Sequence, residues 1–102
     1  MAKLLALYRK PEDPAAFDDH YFNKHIPIAK KIPGLRSYEV SRGTIATPQG
    51  DSPYHLVGIL GFDSMLAIQQ ALASPEGQAV GADLGKFAKA GVDLFVFDTK
   101  EV

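Results

Sequence analysis

The feature that most constrains the fold is a set of strand-like segments that are apolar on both faces. Segment 54–62 reads YHLVGILGF, and segments 3–9 (KLLALYR) and 92–98 (VDLFVFD) also carry apolar residues at adjacent positions. Successive side chains of a strand point to opposite faces of the sheet. Strands that are apolar on both faces need cover on both faces. The sequence therefore predicts a sheet buried on two sides.

Helical segments are predicted between these strands. Asp13-Pro14 starts a helix over residues 14–32 because Asp is a good N-cap and Pro fits the first helical position. Pro27 lacks the amide that would bond to the Asn23 carbonyl, and we expect a kink there. Further helices are predicted over 65–73, capped by Asp63 or Ser64, and from Ser74-Pro75 to about residue 88. Segment 35–43 alternates as a strand, and 47–53 is predicted to be a loop.

The predicted order is β-α-β-β-α-β within one domain, residues 1–102. This α+β pattern is ferredoxin-like: a four-stranded antiparallel sheet with both helical regions on one face. Helices on one face leave the other apolar face open, and monomers rarely expose so large an apolar patch. We therefore expect a homodimer in which the second faces of two sheets pack together around a twofold axis.

Composition excludes several classes of function. The net charge is −1, which gives no electrostatic footprint for nucleic acid or an anionic membrane. The chain has no Cys, so it offers no disulfide, thiolate nucleophile or Cys-based metal site. No segment reaches the roughly 20 apolar residues of a membrane span, and the N-terminus lacks a signal-peptide pattern. We expect a cytoplasmic protein.

Two stretches resemble the EthD family, whose name comes from ethyl tert-butyl ether degradation. The first is Tyr21-Phe22-Asn23-Lys24-His25-Ile26-Pro27 followed by Ile32-Pro33-Gly34-Leu35, and the second runs from Ser74-Pro75-Glu76 through Asp83-Leu84 to Phe87. The resemblance implies a dimeric α/β barrel of ferredoxin-like protomers, each with a ligand-binding cleft between sheet and helices. Relatives of this barrel include cofactor-free monooxygenases, muconolactone isomerases and aromatic polyketide cyclases, and some members bind heme.

His25 is the principal candidate for chemistry. Its phase places it at the middle of the apolar arc of the first helix, and imidazole titrates near neutral pH. It is predicted to act as a general acid or base on a small organic substrate. The alternative is a structural histidine bonded to backbone near Pro27. Asp83 borders an apolar stripe and is predicted to orient His25 or bind substrate; the alternative is a solvated flank.

Three tyrosines, Tyr21, Tyr38 and Tyr54, are candidates for substrate binding, by ring stacking or through their hydroxyls; the alternative is a place at the edge of the core. His20 is predicted to face water. His55, on the same alternation as Val57 and Ile59, is predicted to lie in the subunit interface.

No metal or cofactor is expected. His20 and His25 are five residues apart, roughly 140° around an α-helix, and are not expected to share an ion. The function predicted is an EthD-like homodimeric enzyme that transfers a proton on a compact organic or aromatic compound, in degradation or secondary metabolism. The reaction would be of lyase, isomerase or cofactor-free oxygenase type. A non-catalytic ligand-binding or accessory protein on the same dimer is the alternative, and a heme site served by His25 is a third.

Overall fold

The computed structural model describes all residues, 1–102, and shows the predicted α+β fold. The main sheet has four antiparallel strands, β1 (Ala2–Arg9), β2 (Ser37–Val40), β5 (Tyr54–Phe62) and β6 (Val92–Asp98). Their order across the sheet is β2-β5-β1-β6. The helices are α1 (Pro14–His20), a π-helical turn (Tyr21–His25), α2 (Ile26–Ala29), α3 (Met65–Ala73) and α4 (Pro75–Phe87). None of these helices has the length and apolar character needed to cross a bilayer.

Most predicted boundaries are confirmed, and three of the predictions are corrected. The first helical region ends at Ala29, before residue 32, because Lys31 and Ile32 already make the tighter bonds of a closing turn. The segment predicted as a loop contains a short hairpin of β3 (Ala46–Thr47) and β4 (Gly50–Asp51). Strand β2 is shorter than the predicted 35–43.

The predicted kink near Pro27 takes the form of the π-helical turn. The amide of Ile26 donates to the carbonyl of Tyr21, five residues back, instead of four. Pro27 lacks an amide hydrogen and crowds the carbonyl of residue 23, which disfavours a regular α-helix through this segment. A π-helical turn brings residues five apart close to the same face, and such turns are frequent at functional sites.

The two faces of the sheet differ in what covers them. The helices cover one face of β1, where Leu4, Ala6 and Tyr8 are buried, whereas Leu94 and Val96 of the edge strand β6, on the same face, stay 52% and 44% exposed. The opposite face carries apolar side chains that the strand register aligns in rows, Leu5 with Ile59 and Phe95, and Leu7 with Val57. Three charged residues pair into rows of the same face: Lys3, Glu39 and Asp93. We call Leu5, Leu7, Val57, Ile59, Phe95 and Phe97 the outer face. Phe95 is 55% exposed and Phe97 41%, so the second apolar face predicted from the sequence is present.

Gly77 lets α3 and α4 meet at a sharp corner. Ser74 ends α3 and caps α4, accepting a hydrogen bond from the Gly77 amide at 3.0 Å. A Cβ at residue 77 would collide with the Ala71 carbonyl oxygen and lie 2.8 Å from the Leu72 Cα.

We expect Gly77→Ala to lower the free energy of unfolding by about 1–3 kcal/mol because the backbone of the corner must shift. Gly81 lies in the same helix with open space around it, so Gly81→Ala should raise stability by about 0.5–1 kcal/mol. Urea unfolding of both variants measures the difference, and equal stabilities would contradict the close contact.

Candidate active site

A buried imidazole–carboxylate pair lies between the helices and the sheet. The π-helical turn directs His25 inward, where it is 2% exposed, and α4 supplies Asp83, which is 5% exposed. Nδ1 of His25 donates to Oδ2 of Asp83 at 2.8 Å. The contact predicted between these two residues is therefore present, and the carboxylate fixes the tautomer that leaves Nε2 of His25 unprotonated.

His20 belongs to the same cluster, and its predicted place facing water is wrong. Its Nε2 donates to both oxygens of Asp83, at 3.0 and 3.1 Å, and its side chain is 21% exposed. The 140° separation from His25 assumed a regular α-helix. The π-helical turn between them removes most of that separation, so both imidazoles reach one carboxylate.

Tyr8 is the residue on the inner side of His25, and it was not among the site residues predicted from the sequence. Its hydroxyl lies 3.4 Å from Nε2 of His25, and its ring is 2% exposed. In the tautomer set by Asp83, the Tyr8 hydroxyl donates toward Nε2. The available signal was the alternation of β1, which places Tyr8 with Leu4 and Ala6 on the buried face.

Burial and hydrogen bonding set the charges of this cluster. Burial opposes ionisation of Asp83, but the hydrogen bonds from His25 and His20 outweigh it and hold the Asp83 pKa below its usual value. Burial lowers the pKa of His25, and the partly compensating attraction of Asp83 does not restore it. Burial also raises the pKa of Tyr8. The arrangement is thus an anionic carboxylate, a neutral imidazole with an unprotonated Nε2 and a neutral phenol.

The pKa of His25 predicts that stability falls on mild acidification. An unfolded chain protonates His25 near its usual pKa of 6.5, whereas the folded protein resists that proton. The unfolded state therefore binds more protons below about pH 6.5, and the free energy of unfolding decreases there. Asp83 adds a second loss at lower pH, when it is protonated through its lowered pKa.

Urea unfolding at about pH 7.5 and about pH 5 measures this loss. We expect His25→Gln to reduce the difference between the two pH values relative to the wild-type protein. His55→Gln removes a histidine from a separate contact with Asp18 and serves as the control. An unchanged pH dependence in His25→Gln would contradict the lowered pKa.

Two of the three candidate tyrosines come together, and the third does not join them. The hydroxyls of Tyr21 and Tyr38 are 2.7 Å apart, and the Tyr21 ring stacks on His25 with centroids 5.4 Å apart. Gly58 leaves room for the Tyr21 hydroxyl, since a Cβ there would lie 3.0 Å from it. Tyr54 instead donates to Asp93 at 2.9 Å, beside Arg9.

The prediction that His55 lies in the subunit interface is wrong. The pairing of β1 with β5 has an irregularity, because Tyr8 pairs with Leu56 and Arg9 with Tyr54. This β-bulge leaves His55 as the extra residue and reverses the alternation before Leu56. His55 consequently lies against α1, where it donates to Asp18 at 2.7 Å and packs edge-on against Phe17.

A groove of about 620 Å³ opens next to the cluster, between the beginning of α1 and the end of α4. His20 lines this groove, whereas His25 lies behind it. The lining residues are Pro11, Glu12, Asp13, Ala16, Phe17, His20, Lys86, Phe87, Lys89 and Ala90.

The fold and this cluster define a small ferredoxin-like α+β protein with a buried histidine–aspartate pair. Residues 9–91 match the EthD domain model, and the chain belongs to the EthD family. It is 43% identical to an ethyl tert-butyl ether d (EthD) family protein from Bacillus halodurans, with a TM-score of 0.90 over 98% of this chain and 99% of that one. It is 36% identical to an uncharacterized 11.0 kDa protein from the thcB–thcC intergenic region of Rhodococcus erythropolis, over 100% of this chain and 98% of that protein.

More distant structures share the fold. SnoaB, a cofactor-independent oxygenase from Streptomyces nogalater, is 17% identical with a TM-score of 0.69, over 99% of this chain and 94% of that one. A dimeric ferredoxin-like protein of unknown function from Thermobifida fusca is 15% identical with a TM-score of 0.70, over 96% of this chain and 90% of that one. This fold is therefore shared by an enzyme and by a protein described as dimeric.

Proposed function

We propose that the protein is a homodimeric enzyme that transfers a proton on a compact organic or aromatic compound without a cofactor. The reaction class is lyase, isomerase or cofactor-free oxygenase. The observation that carries the proposal is the hydrogen bond from Nδ1 of His25 to Asp83, because it leaves Nε2 as the basic atom of a buried, neutral imidazole. SnoaB supports it as a cofactor-independent oxygenase on the same fold.

The geometry suggests a division of roles. Nε2 of His25 removes a proton from a carbon beside a carbonyl or from a hydroxyl, and Asp83 stabilises the imidazolium that results. The Tyr8 hydroxyl, 3.4 Å from Nε2, is placed to relay the proton, passing its own proton to Nε2 as it takes up the one that the substrate loses. One hydroxyl of the Tyr21–Tyr38 pair donates to the other, and the second keeps its proton for the negative charge that develops on the substrate oxygen. Tyr54 has no part in this proposal.

The outer face supports the homodimer. Six apolar side chains from three adjacent strands form one surface, and no helix of the protomer covers it. An apolar surface of this kind is stabilised by excluding water, at about 25 cal/mol per Å² removed from solvent. A second copy presents the same surface, so two copies pack through it around a twofold axis. We therefore assign the outer face to the contact between the two subunits.

One observation favours the alternative, a ligand-binding or accessory protein on the same dimer. The ring of His25 is packed among Tyr8, Tyr21 and Phe87, with only 2% of its surface exposed. In that alternative the Asp83–His25 pair has a structural role, and ligands bind without being converted.

Deuterium exchange distinguishes the two functions before the natural substrate is known. The protein is incubated in D₂O with aryl ketones, 1,3-diketones, phenols and aromatic hydroxynitriles, and mass spectrometry follows deuterium uptake and product formation. The proposal expects exchange or conversion of at least one class above the rate in buffer. Binding detected by NMR without exchange or conversion in any class would support the alternative.

A further inference from the structure

The groove beside His20 has an aromatic wall. The His20 ring stacks on Phe87, with centroids 4.8 Å apart and planes inclined by 19°. Phe17 meets Phe87 edge-on at 5.2 Å. Phe17 and Phe87 are 4% and 9% exposed, so His20, whose side chain is 21% exposed, presents most of this wall to a planar ring. The groove, at about 620 Å³, has the size of a small-molecule site.

The rim of the groove has two charged sides. Lys86 and Lys89 lie at the end of α4 and just beyond it, and neither forms an ion pair with a carboxylate. Glu12 and Asp13 lie on the opposite side, where Asp13 caps α1 by accepting from the Ala16 amide. An anionic group on a ligand is therefore attracted to the α4 side and repelled from the α1 side. This asymmetry would orient an anionic ligand with its charge toward α4.

We propose that this groove binds a flat aromatic acid, with its ring against Phe17, His20 and Phe87 and its acidic group at Lys86 and Lys89. The inference goes beyond the proposed function by assigning a class of ligand to the groove next to the histidine–aspartate cluster. Asp83 contacts both His20 in the groove wall and His25 behind it. A ligand in the groove therefore lies next to the group that orients His25.

The test uses 2-naphthoate as the probe and the neutral 2-naphthamide as its uncharged counterpart. Backbone amide shifts are followed by two-dimensional NMR during titration of the wild-type protein. We expect the largest shifts at residues 11–20 and 86–90, and tighter binding of naphthoate than of naphthamide. The double variant Lys86→Gln/Lys89→Gln should weaken naphthoate by about fivefold or more and leave naphthamide unchanged.

The control is Lys30→Gln/Lys31→Gln, which removes two exposed lysines at the end of α2, outside the groove. It should bind naphthoate like the wild-type protein. Shifts centred on β1 and β6 would place the probe on the outer face and overturn the proposal. Equal loss of affinity in both lysine variants, or equal affinity for the two probes, would also overturn it.

Failure of this inference is distinguishable from failure of the proposed function. Binding of naphthoate in the groove, with no exchange or conversion of any compound, would support the binding site and contradict the proposed enzyme activity. Conversion that depends on His25, with no binding of naphthoate in the groove, would support the proposed enzyme and contradict the groove as a ligand site.

Discussion

Replacing His25 with glutamine is expected to slow the proton-transfer step by about 10²–10⁴-fold, the usual contribution of a general acid or base. Glutamine keeps polar atoms near Asp83 but has no basic nitrogen. The measurement is the rate of deuterium uptake or conversion with whichever compound responds in the D₂O panel. Circular dichroism and sedimentation show whether the variant keeps its fold and assembly.

The control for this prediction is His55→Gln. His55 also donates to a carboxylate, Asp18, at 2.7 Å, but it has no contact with Asp83. A general loss caused by removing any histidine–aspartate contact would affect both variants. Full activity in folded His25→Gln would contradict the assignment of His25 as the base.

Placing a charge on the outer face is expected to separate the dimer. Phe95 is 55% exposed in the protomer and lies in one row with Leu5 and Ile59. In Phe95→Asp, dimerisation would bury a carboxylate without a partner. The free energy needed to remove that charge from water exceeds the free energy gained by the contact. Sedimentation velocity should show the wild-type protein at about twice the 11.0 kDa of one chain and the variant at one chain.

Leu66 provides the control because it is 60% exposed but lies on α3, away from the outer face. We expect Leu66→Asp to sediment like the wild-type protein. If the wild-type protein itself sediments as a single chain at micromolar concentration, the outer face is not a subunit contact.

The sequence was sufficient for those parts of the fold that follow regular periods with clear end signals. The boundaries of β5, α3 and β6 were predicted at both ends because apolar alternation, an N-cap serine and Pro or Gly residues mark them. The contact between His25 and Asp83 was predicted because each residue lies on a core-facing stripe, and two such stripes meet between sheet and helices.

The sequence was insufficient where one extra residue changes the local period. The π-helical turn shifts the phase of His25 relative to His20, and the β-bulge reverses the faces of Tyr54 and His55. A shift of one residue moves a strand's side chain to the other face. Single-residue propensities predict neither the π-helical turn nor the β-bulge, although Pro27 indicated that the helix is not regular. Tyr8 was passed over because a tyrosine in a strand is usually a core residue.

The most direct test of the account is the protonation state of the His25 ring in the wild-type protein. Nitrogen-15 NMR of imidazole-labelled protein, with the His25 signals assigned by comparison with His25→Gln, reports which ring nitrogen carries the proton. At about pH 7.5 the account predicts a neutral ring with the proton on Nδ1 and an unprotonated Nε2. A proton on Nε2 with Nδ1 unprotonated, or a doubly protonated ring, would contradict the claim that Asp83 fixes the tautomer in which Nε2 of His25 is the base.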